Sequence, residues 1–403
     1  MTEAFVAVPP MVDDQAALAR LLDALDAAGG ASRYIGGWVR DRLLGHEPAD
    51  IDIATRFPPQ EAAERARRAG LQVWTSPSGL AHGTVGVVID GRTIEVTTLR
   101  RDVATDGRHA EVAFTGDWRE DAARRDFTIN ALSADPLSGE VHDYFGGLDD
   151  LAAHRVRFIG DPLTRIAEDH LRILRFFRFH ARFGRGEPDA ASYAACVERA
   201  NDLMALSRER ITAELLKLLA VADPTPTVAA MLAGGVLAAV LPEIGATDRL
   251  AALIEAERAA GAAPDGLRRL AALLPRDPAK AEEVAARLRL SNAERKRLAL
   301  AAETGGGASP KALAYRIGVT SAVDRLLLAN RPEEAAAVAE WEPPRLPITG
   351  GDLIALGLEP GPVVATTLRE VETKWIEQGF PGREAVEMLA KEAVAAVLKS
   401  PLP

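Results

Sequence analysis

Cysteine is all but missing from this chain. Cys196 stands alone among 403 residues, so no internal disulfide can form, and no thiolate pair is available for a metal cage or a redox couple. A reducing cytoplasm is the simplest setting for such a chain. Aromatic residues are scarce as well, at 5 %, while alanine abounds, a balance that favours helices over sheets for most of the length. No run of 18 apolar residues occurs, so no membrane span is expected. Met1 to Pro10 has no basic stretch ahead of an apolar core, and no secretory leader is expected. Excess positive charge is absent too. A net charge of −10 argues mildly against a nucleic-acid partner, although global charge is a poor guide when positive charge is clustered. It is clustered here: eight arginines lie between Arg155 and Arg185 against the acids Asp161, Glu168 and Asp169.

The length suggests two to four domains at roughly 100–200 residues each. Leu18, Leu21, Leu22 and Leu25 repeat at helical spacing and predict a helix over Asp14 to Ala28, ended by Gly29-Gly30. Short strand-like runs follow. Tyr34-Ile35 leads into Gly36-Gly37 and a helix from Val39 to Leu44. Ile51-Asp52-Ile53 alternates, and an amphipathic helix spans Pro59 to Ala69. Gly83 to Ile89 and Thr93 to Leu99 are β-rich and flank Asp90-Gly91, a strong hairpin signal. From Pro162 onward the pattern is almost wholly helical, with no repeat of fixed period. These readings place boundaries near 155, 225 and 345: an α/β unit over 1–155, then helical segments 156–225, 226–345 and 346–403.

Three constellations carry chemistry. In the first, two glycines join a strand to a helix in Gly36-Gly37-Trp38-Val39-Arg40-Asp41. Such a turn lets backbone approach a phosphate closely, with the N–H groups of a helix start behind it, and Arg40 adds a fixed charge. A plain strand-to-helix turn has the same pattern. Asp50 and Asp52 are two apart, so on a strand they share a face while Ile51 and Ile53 fill the other. Adjacent carboxylates repel unless a cation neutralises them, and oxygen ligands of this kind suit Mg²⁺. A solvated strand face is the alternative. Glu95 lies on the polar face of another alternating run. Beside Asp50 and Asp52 it would complete a set able to hold two Mg²⁺ ions for in-line phosphoryl displacement. An ordinary exposed glutamate fits as well.

The second constellation is Arg124-Arg125-Asp126-Phe127-Thr128-Ile129-Asn130. Arg125 offers a planar, bidentate donor set to a triphosphate, while Asp126 and Asn130 could read a ribose hydroxyl. A helix start with a charged first turn is the alternative. The third, Glu168 to Phe179, is predicted helical and places Asp169, Arg172 and Arg175 on one face, with Arg178 a step further. A surface salt-bridge stripe would have the same spacing. Cytosine and adenine both present an exocyclic amine beside a ring-nitrogen acceptor. Asp169 could accept from the amine and Arg172 donate to the ring nitrogen. Uracil and guanine would set donor against donor and acceptor against acceptor, at roughly 1–3 kcal/mol for each buried mispairing.

Taken in order over residues 30–220, these segments resemble the tRNA nucleotidyltransferase and poly(A) polymerase family. Ser207-Arg208-Glu209-Arg210-Ile211, with Glu214 and Lys217, resembles that family's helical motif closing the neck. The resemblance implies an α+β protein: a polymerase-β-like nucleotidyltransferase head followed by an all-helical neck, body and tail. It implies that Asp50 and Asp52 bind Mg²⁺; Glu95 stands as a candidate catalytic carboxylate on the strand reading alone. Gly36, Gly37, Arg40, Asp41 and Arg125 would serve the nucleotide, and Asp126 and Asn130 would sense the ribose. Asp169 and Arg172 would pair with the base, supported by Arg175 and Arg178. Arg101 to Thr115 resembles the flexible loop with which CCA-adding members switch from C to A. The implied activity is addition of CCA to tRNA from CTP and ATP. Poly(A) polymerase and A-only addition are the alternatives within the family. Glu370 to Pro403 lacks the strongly basic character of the bacterial poly(A) polymerase extension.

Overall fold

The computed structural model describes residues 15–48, 50–105, 110–304 and 309–399. The chain folds as two compact units dividing between Pro242 and Glu243. The first holds the strands β1 (Ser32–Ile35), β2 (Asp52–Thr55), β3 (Gln72–Trp74), β4 (Thr84–Ile89), β5 (Arg92–Thr98), β6 (Arg100–Thr105), β7 (Ala110–Phe114), β8 (Ser133–Ala134) and β9 (Val141–His142). Seven of them form one sheet in the order β3-β4-β5-β2-β1-β8-β9, and β6 pairs with β7 alone.

The turn chemistry acts where it was expected to. Between β4 and β5, Asp90 and Gly91 take φ of 50° and 72°, the left-handed pair that a tight hairpin twist requires. β5 then returns antiparallel to β4 and parallel to β2. Ile53, Val85, Val87, Ile94 and Val96 are almost wholly shielded from solvent and weld the sheet centre to its cover. Each such burial is worth roughly 1.5–3 kcal/mol. The first predicted helix is realised as Gln15–Ala24, its expected start at Asp14 lying outside the described residues. Arg101 to Thr115, expected as a loop, is largely the β6–β7 ribbon; residues 106–109 lie outside the described residues.

After the sheet, the first unit is helical. The helix Arg172–Phe183 buries Ile173, Leu174, Phe176, Phe177 and Phe179. Phe127 sits among Phe158, Phe176 and Phe179, with ring centroids 5.0, 6.3 and 5.2 Å away. That aromatic cluster fixes the segment carrying Asp126 against the helix carrying Arg175. The second unit contains helices from Asp248–Ala260 through Arg383–Lys399 and no strand among the described residues. Its C-terminal part packs around Leu353, Val371, Trp375 and Val386. The expected mixed class, a sheet-bearing head followed by helices, is what the structure has. Among the described residues, no helix is long and apolar enough to cross a membrane.

One expected element is corrected. The third constellation is not a single helix. Pro162–Glu168 ends before Asp169, whose backbone is extended at φ −155° and ψ 107°, and a new helix runs Arg172–Phe183. The Asp169 carboxylate accepts the Leu171 N–H at 3.1 Å, a local side-chain bond that competes with the helical ladder. Asp169 therefore leaves the face shared by Arg172 and Arg175.

Candidate active site

Gly36 is the pivot between β1 and the helix Gly37–Leu43. Its backbone sits at φ 63° and ψ −125°, a region L side chains avoid. A Cβ there would also stand 2.8 Å from Nη1 of Arg125. Over Gly37 the space is open apart from Arg40 Nη2 at 3.5 Å from an added Cβ. Gly36→Ala is therefore expected to destabilise the chain by about 1–3 kcal/mol through backbone strain and displacement of Arg125. A thermal melt beside wild type checks it, and an unchanged midpoint would refute the geometric role.

β2 and β5 set Asp52 directly opposite Glu95. The Asp52 carboxyl is pushed up to about 6, first by burial, then by the charges of Glu95 and Asp50 against the opposing pull of Arg125. The strand begins only at Asp52, and Asp50 stands exposed on the preceding bend. Alternation along a strand therefore does not reach Asp50, contrary to the expectation of two carboxylates sharing one strand face. Among the described residues no three His, Cys, Asp or Glu side chains gather closely enough to cage an ion by themselves. What the fold supplies is a pair of carboxylates abreast on parallel strands, with Asp50 near enough to act on Asp52.

A second set of polar contacts, mostly buried, runs through the same unit. Arg40 is buried, donates to Asp41 at 2.8 Å and to the Asn130 side-chain oxygen at 2.5 Å, and lies over Phe183 at 4.1 Å. Asn130 donates to Asp126 at 2.9 Å, and Asp126 pairs with Arg175 through Nε at 2.8 Å and Nη2 at 2.5 Å. Burial by itself would raise the Asp126 carboxyl. Arg175 and the hydrogen bonds from Asn130, Arg175 and the Phe127 N–H outweigh it, and the net shift is downward. The contiguous series Arg40, Asn130, Asp126, Arg175 thus links residues expected for the nucleotide and ribose to an arginine expected to support the base site.

The remaining arginines are each engaged. Arg125 pairs with Asp121 at 3.2 Å and donates to the Asn130 carbonyl at 3.3 Å. Arg178 donates to Glu214 at 2.6 Å. Arg172 is bound to Glu168 and to the carbonyls of Arg165 and Arg124, the last two at 3.0 and 3.1 Å. Asp169 instead pairs with Arg210 at 2.8 Å, so the structure does not bond Asp169 to Arg172. Sequence reasoning assigned no site role to Asp121, Arg182 or Arg210. Asp121 was within reach of it, since it stands three and four residues before Arg124 and Arg125 on a helical stretch. The Arg210 contact spans 41 residues and the Arg182–Asp41 contact 141, and neither has a local signal.

The carboxylate couple on parallel strands and the glycine turn set against Arg125 fit a nucleotidyltransferase head. Residues 32–157 match the family described as Poly A polymerase head domain, and residues 187–247 match Probable RNA and SrmB- binding site of polymerase A. The CCA tRNA nucleotidyltransferase 1, mitochondrial, of Danio rerio is 35 % identical over 362 residues, covering 85 % of this chain and 83 % of that protein. The CCA-adding enzyme of Streptococcus gordonii is 33 % identical over 395 residues, 92 % of this chain and 96 % of that one. In fold, the chain is similar to the Bacillus stearothermophilus CCA-adding enzyme solved with CTP, at a TM-score of 0.70 and 24 % identity, with 97 % and 100 % of the two chains covered. The chain belongs to the family of CCA-adding tRNA nucleotidyltransferases.

Proposed function

We propose that this chain adds C, C and A to the 3′ end of tRNA without a template, taking CTP and ATP as substrates. The observation that carries the reading is the register of Asp52 against Glu95, next to the glycine turn and Arg125. Carboxylate oxygens whose like charges Arg125 only partly offsets fit a hard divalent cation, and Mg²⁺ is the ion we assign to Asp50 and Asp52. When bound, Mg²⁺ would lower the cost of charge on the attacking 3′-hydroxyl oxygen and on the departing pyrophosphate. Glu95 adds negative field at the same place. Gly36 and Gly37 keep backbone and space open to the triphosphate, and Arg125 supplies positive charge beside it. Asp126 and Asn130, tied to Arg40, Asp41 and Arg175, hold the ribose side in register. We assign 1–155 to the head, 156–225 to the neck, 226–345 to the body and 346–403 to the tail, in a cytoplasmic setting.

Base choice falls to Asp169 and Arg172. Both are bound elsewhere in the structure, so pairing with cytosine or adenine requires Asp169 to exchange Arg210 for the base amine. It also requires Arg172 to turn from Glu168 toward the ring nitrogen. Arg172→Ala is expected to weaken rejection of UTP by roughly 10- to 100-fold, with a smaller fall in the rate of CTP incorporation. Competition between labelled CTP and UTP measures it, and unaltered rejection of UTP would remove Arg172 from this role.

The test of the whole reading is incorporation into a tRNA lacking its 3′ end, with Mg²⁺ and each nucleotide separately and together. Two C additions, one A and then arrest are the expected result. Long A tracts on any RNA would move the chain to poly(A) polymerase. A added only to acceptors already ending in CC would make it an A-adding specialist.

A further inference from the structure

In the second unit, four arginines face one cavity. Arg249, Arg276, Arg325 and Arg331 line a hollow of about 210 Å³ in which Glu303 is the acidic lining residue. Arg249 stands at the start of the helix Asp248–Ala260, Arg276 follows the helix Gly266–Leu273, and Arg325 and Arg331 bracket the end of Val319–Leu328. In a chain whose net charge is −10, this is a local reversal of sign.

Two of the four are held without a carboxylate. Arg249 donates to the carbonyls of Leu274 at 2.6 Å and Ala271 at 3.5 Å, and Arg276 donates to that of Leu328 at 3.3 Å. Carbonyls fix the planes of the guanidinium groups but leave their formal charges uncancelled. Burial, and then the neighbouring charge of Arg276, holds the Arg249 guanidinium below its ordinary value. The unit's buried arginines are treated differently: Arg268 and Arg269 share Glu257 at 2.7 and 2.8 Å, and Asp324 stands 3.5 Å from Arg268. Around the cavity, Arg325 and Arg331 have Glu303 and Glu334 at 2.8 and 2.5 Å, while Arg249 and Arg276 have no such relief among the described contacts. Each guanidinium carries five N–H donors in a rigid fork, more than these carbonyls use.

We infer that this cavity is a phosphate-binding site, with Arg249 and Arg276 as its principal donors and the carboxylate-paired Arg325 and Arg331 forming its wall. A phosphate group brings the charge the pair lacks and oxygens for the unused forks. Two sources share this chemistry, a backbone phosphate of bound RNA and free pyrophosphate. The pyrophosphate arm of the test stands apart from the nucleotidyl-transfer reading, and the RNA arm rests on it.

Arg276 is exposed, so Arg276→Gln removes the charge with little risk to the fold, checked by an unchanged melt in phosphate-free buffer. Inorganic pyrophosphate is titrated calorimetrically into the full chain and into the variant in EDTA, where the carboxylates of the head are without a cation and repel it. In parallel, the affinity of both proteins for a tRNA lacking its 3′ end is measured across a NaCl series. A fall of tenfold or more in pyrophosphate affinity supports the site with the free anion as occupant. A salt slope shallower by about 1 supports it with an RNA phosphate as occupant. Identical pyrophosphate affinity together with an identical slope overturns the inference. Arg249→Lys, which keeps the charge but loses the fork, is expected to fall between wild type and Arg276→Gln in whichever arm responds.

Discussion

Asp52→Asn is expected to raise the melting temperature of the metal-free chain at pH 8 while lowering incorporation of both C and A by about 10³-fold or more. The two effects share one cause. Asp52 titrates at about 6 in the fold against an ordinary value of 3.8, because burial and the charges of Glu95 and Asp50 oppose its ionisation. A carboxyl whose value is raised in the folded state binds its proton more tightly there than in the unfolded chain. Charging it therefore costs stability as pH rises from about 4 to about 6, and the full cost is present above that. Two units correspond to about 3 kcal/mol. Partial exposure of Asp52 reduces this to roughly 1–2 kcal/mol after solvent screening, a few degrees for a unit of this size. The advantage of the asparagine variant should fade below pH 6 and vanish below pH 4. Melting curves across pH 4–8, with and without Mg²⁺, test both halves. Mg²⁺ should stabilise the wild type at pH 8 and not the variant. A variant that melts at or below the wild-type temperature at pH 8, or still adds C at the wild-type rate, would refute the assignment of Asp52.

Breaking the Asp126–Arg175 pair is expected to be the most damaging single change to the fold around the site. Asp126 has 8 % of its side chain exposed, whereas Arg175 retains 31 %. Asp126→Ala leaves Arg175 without its partner and removes the acceptor of the Asn130 amide, so Asn130 and Arg40 lose their alignment too. Removing one member of a buried pair costs about 3–5 kcal/mol. The partial exposure of Arg175 places this case near 2–3 kcal/mol. Asp126→Asn, which keeps shape and one acceptor, should cost less. The linkage sign is opposite to that of Asp52. The folded state holds Asp126 below its ordinary value, so its contribution is present above about pH 4 and lost as pH falls through its depressed folded value. Denaturant melts at pH 7 of the two variants and of Arg175→Met give the comparison. Equal stability of Asp126→Ala and wild type would show that the pair does not organise the site.

Local chemistry made the head legible in the sequence. Gly36-Gly37 requires no side chain where the backbone turns, Asp90-Gly91 requires left-handed φ, and alternation placed Ile53, Ile94 and Val96 inside. Each of these is a property of a few neighbouring residues, so the strand-to-helix turn, the hairpin and the mixed class followed from the chain alone. The alternation that suggested Glu95 as a partner of Asp52 could not state which strands adjoin. That β2 lies parallel to β5, with Asp52 opposite Glu95, is a consequence of sheet order. The same applies to Asp169. Helical spacing set it beside Arg172, but its carboxylate captures the Leu171 N–H and Arg210, 41 residues away. Periodicity records which side chains share a face only while the helix continues, and here a side-chain bond ends it. The chain by itself therefore determined the turns, the buried strand faces and the residue types able to hold cations, phosphates and bases. Tertiary packing alone decided which charges face one another, since an ion pair between distant segments depends on the distance between them and leaves no period in the sequence.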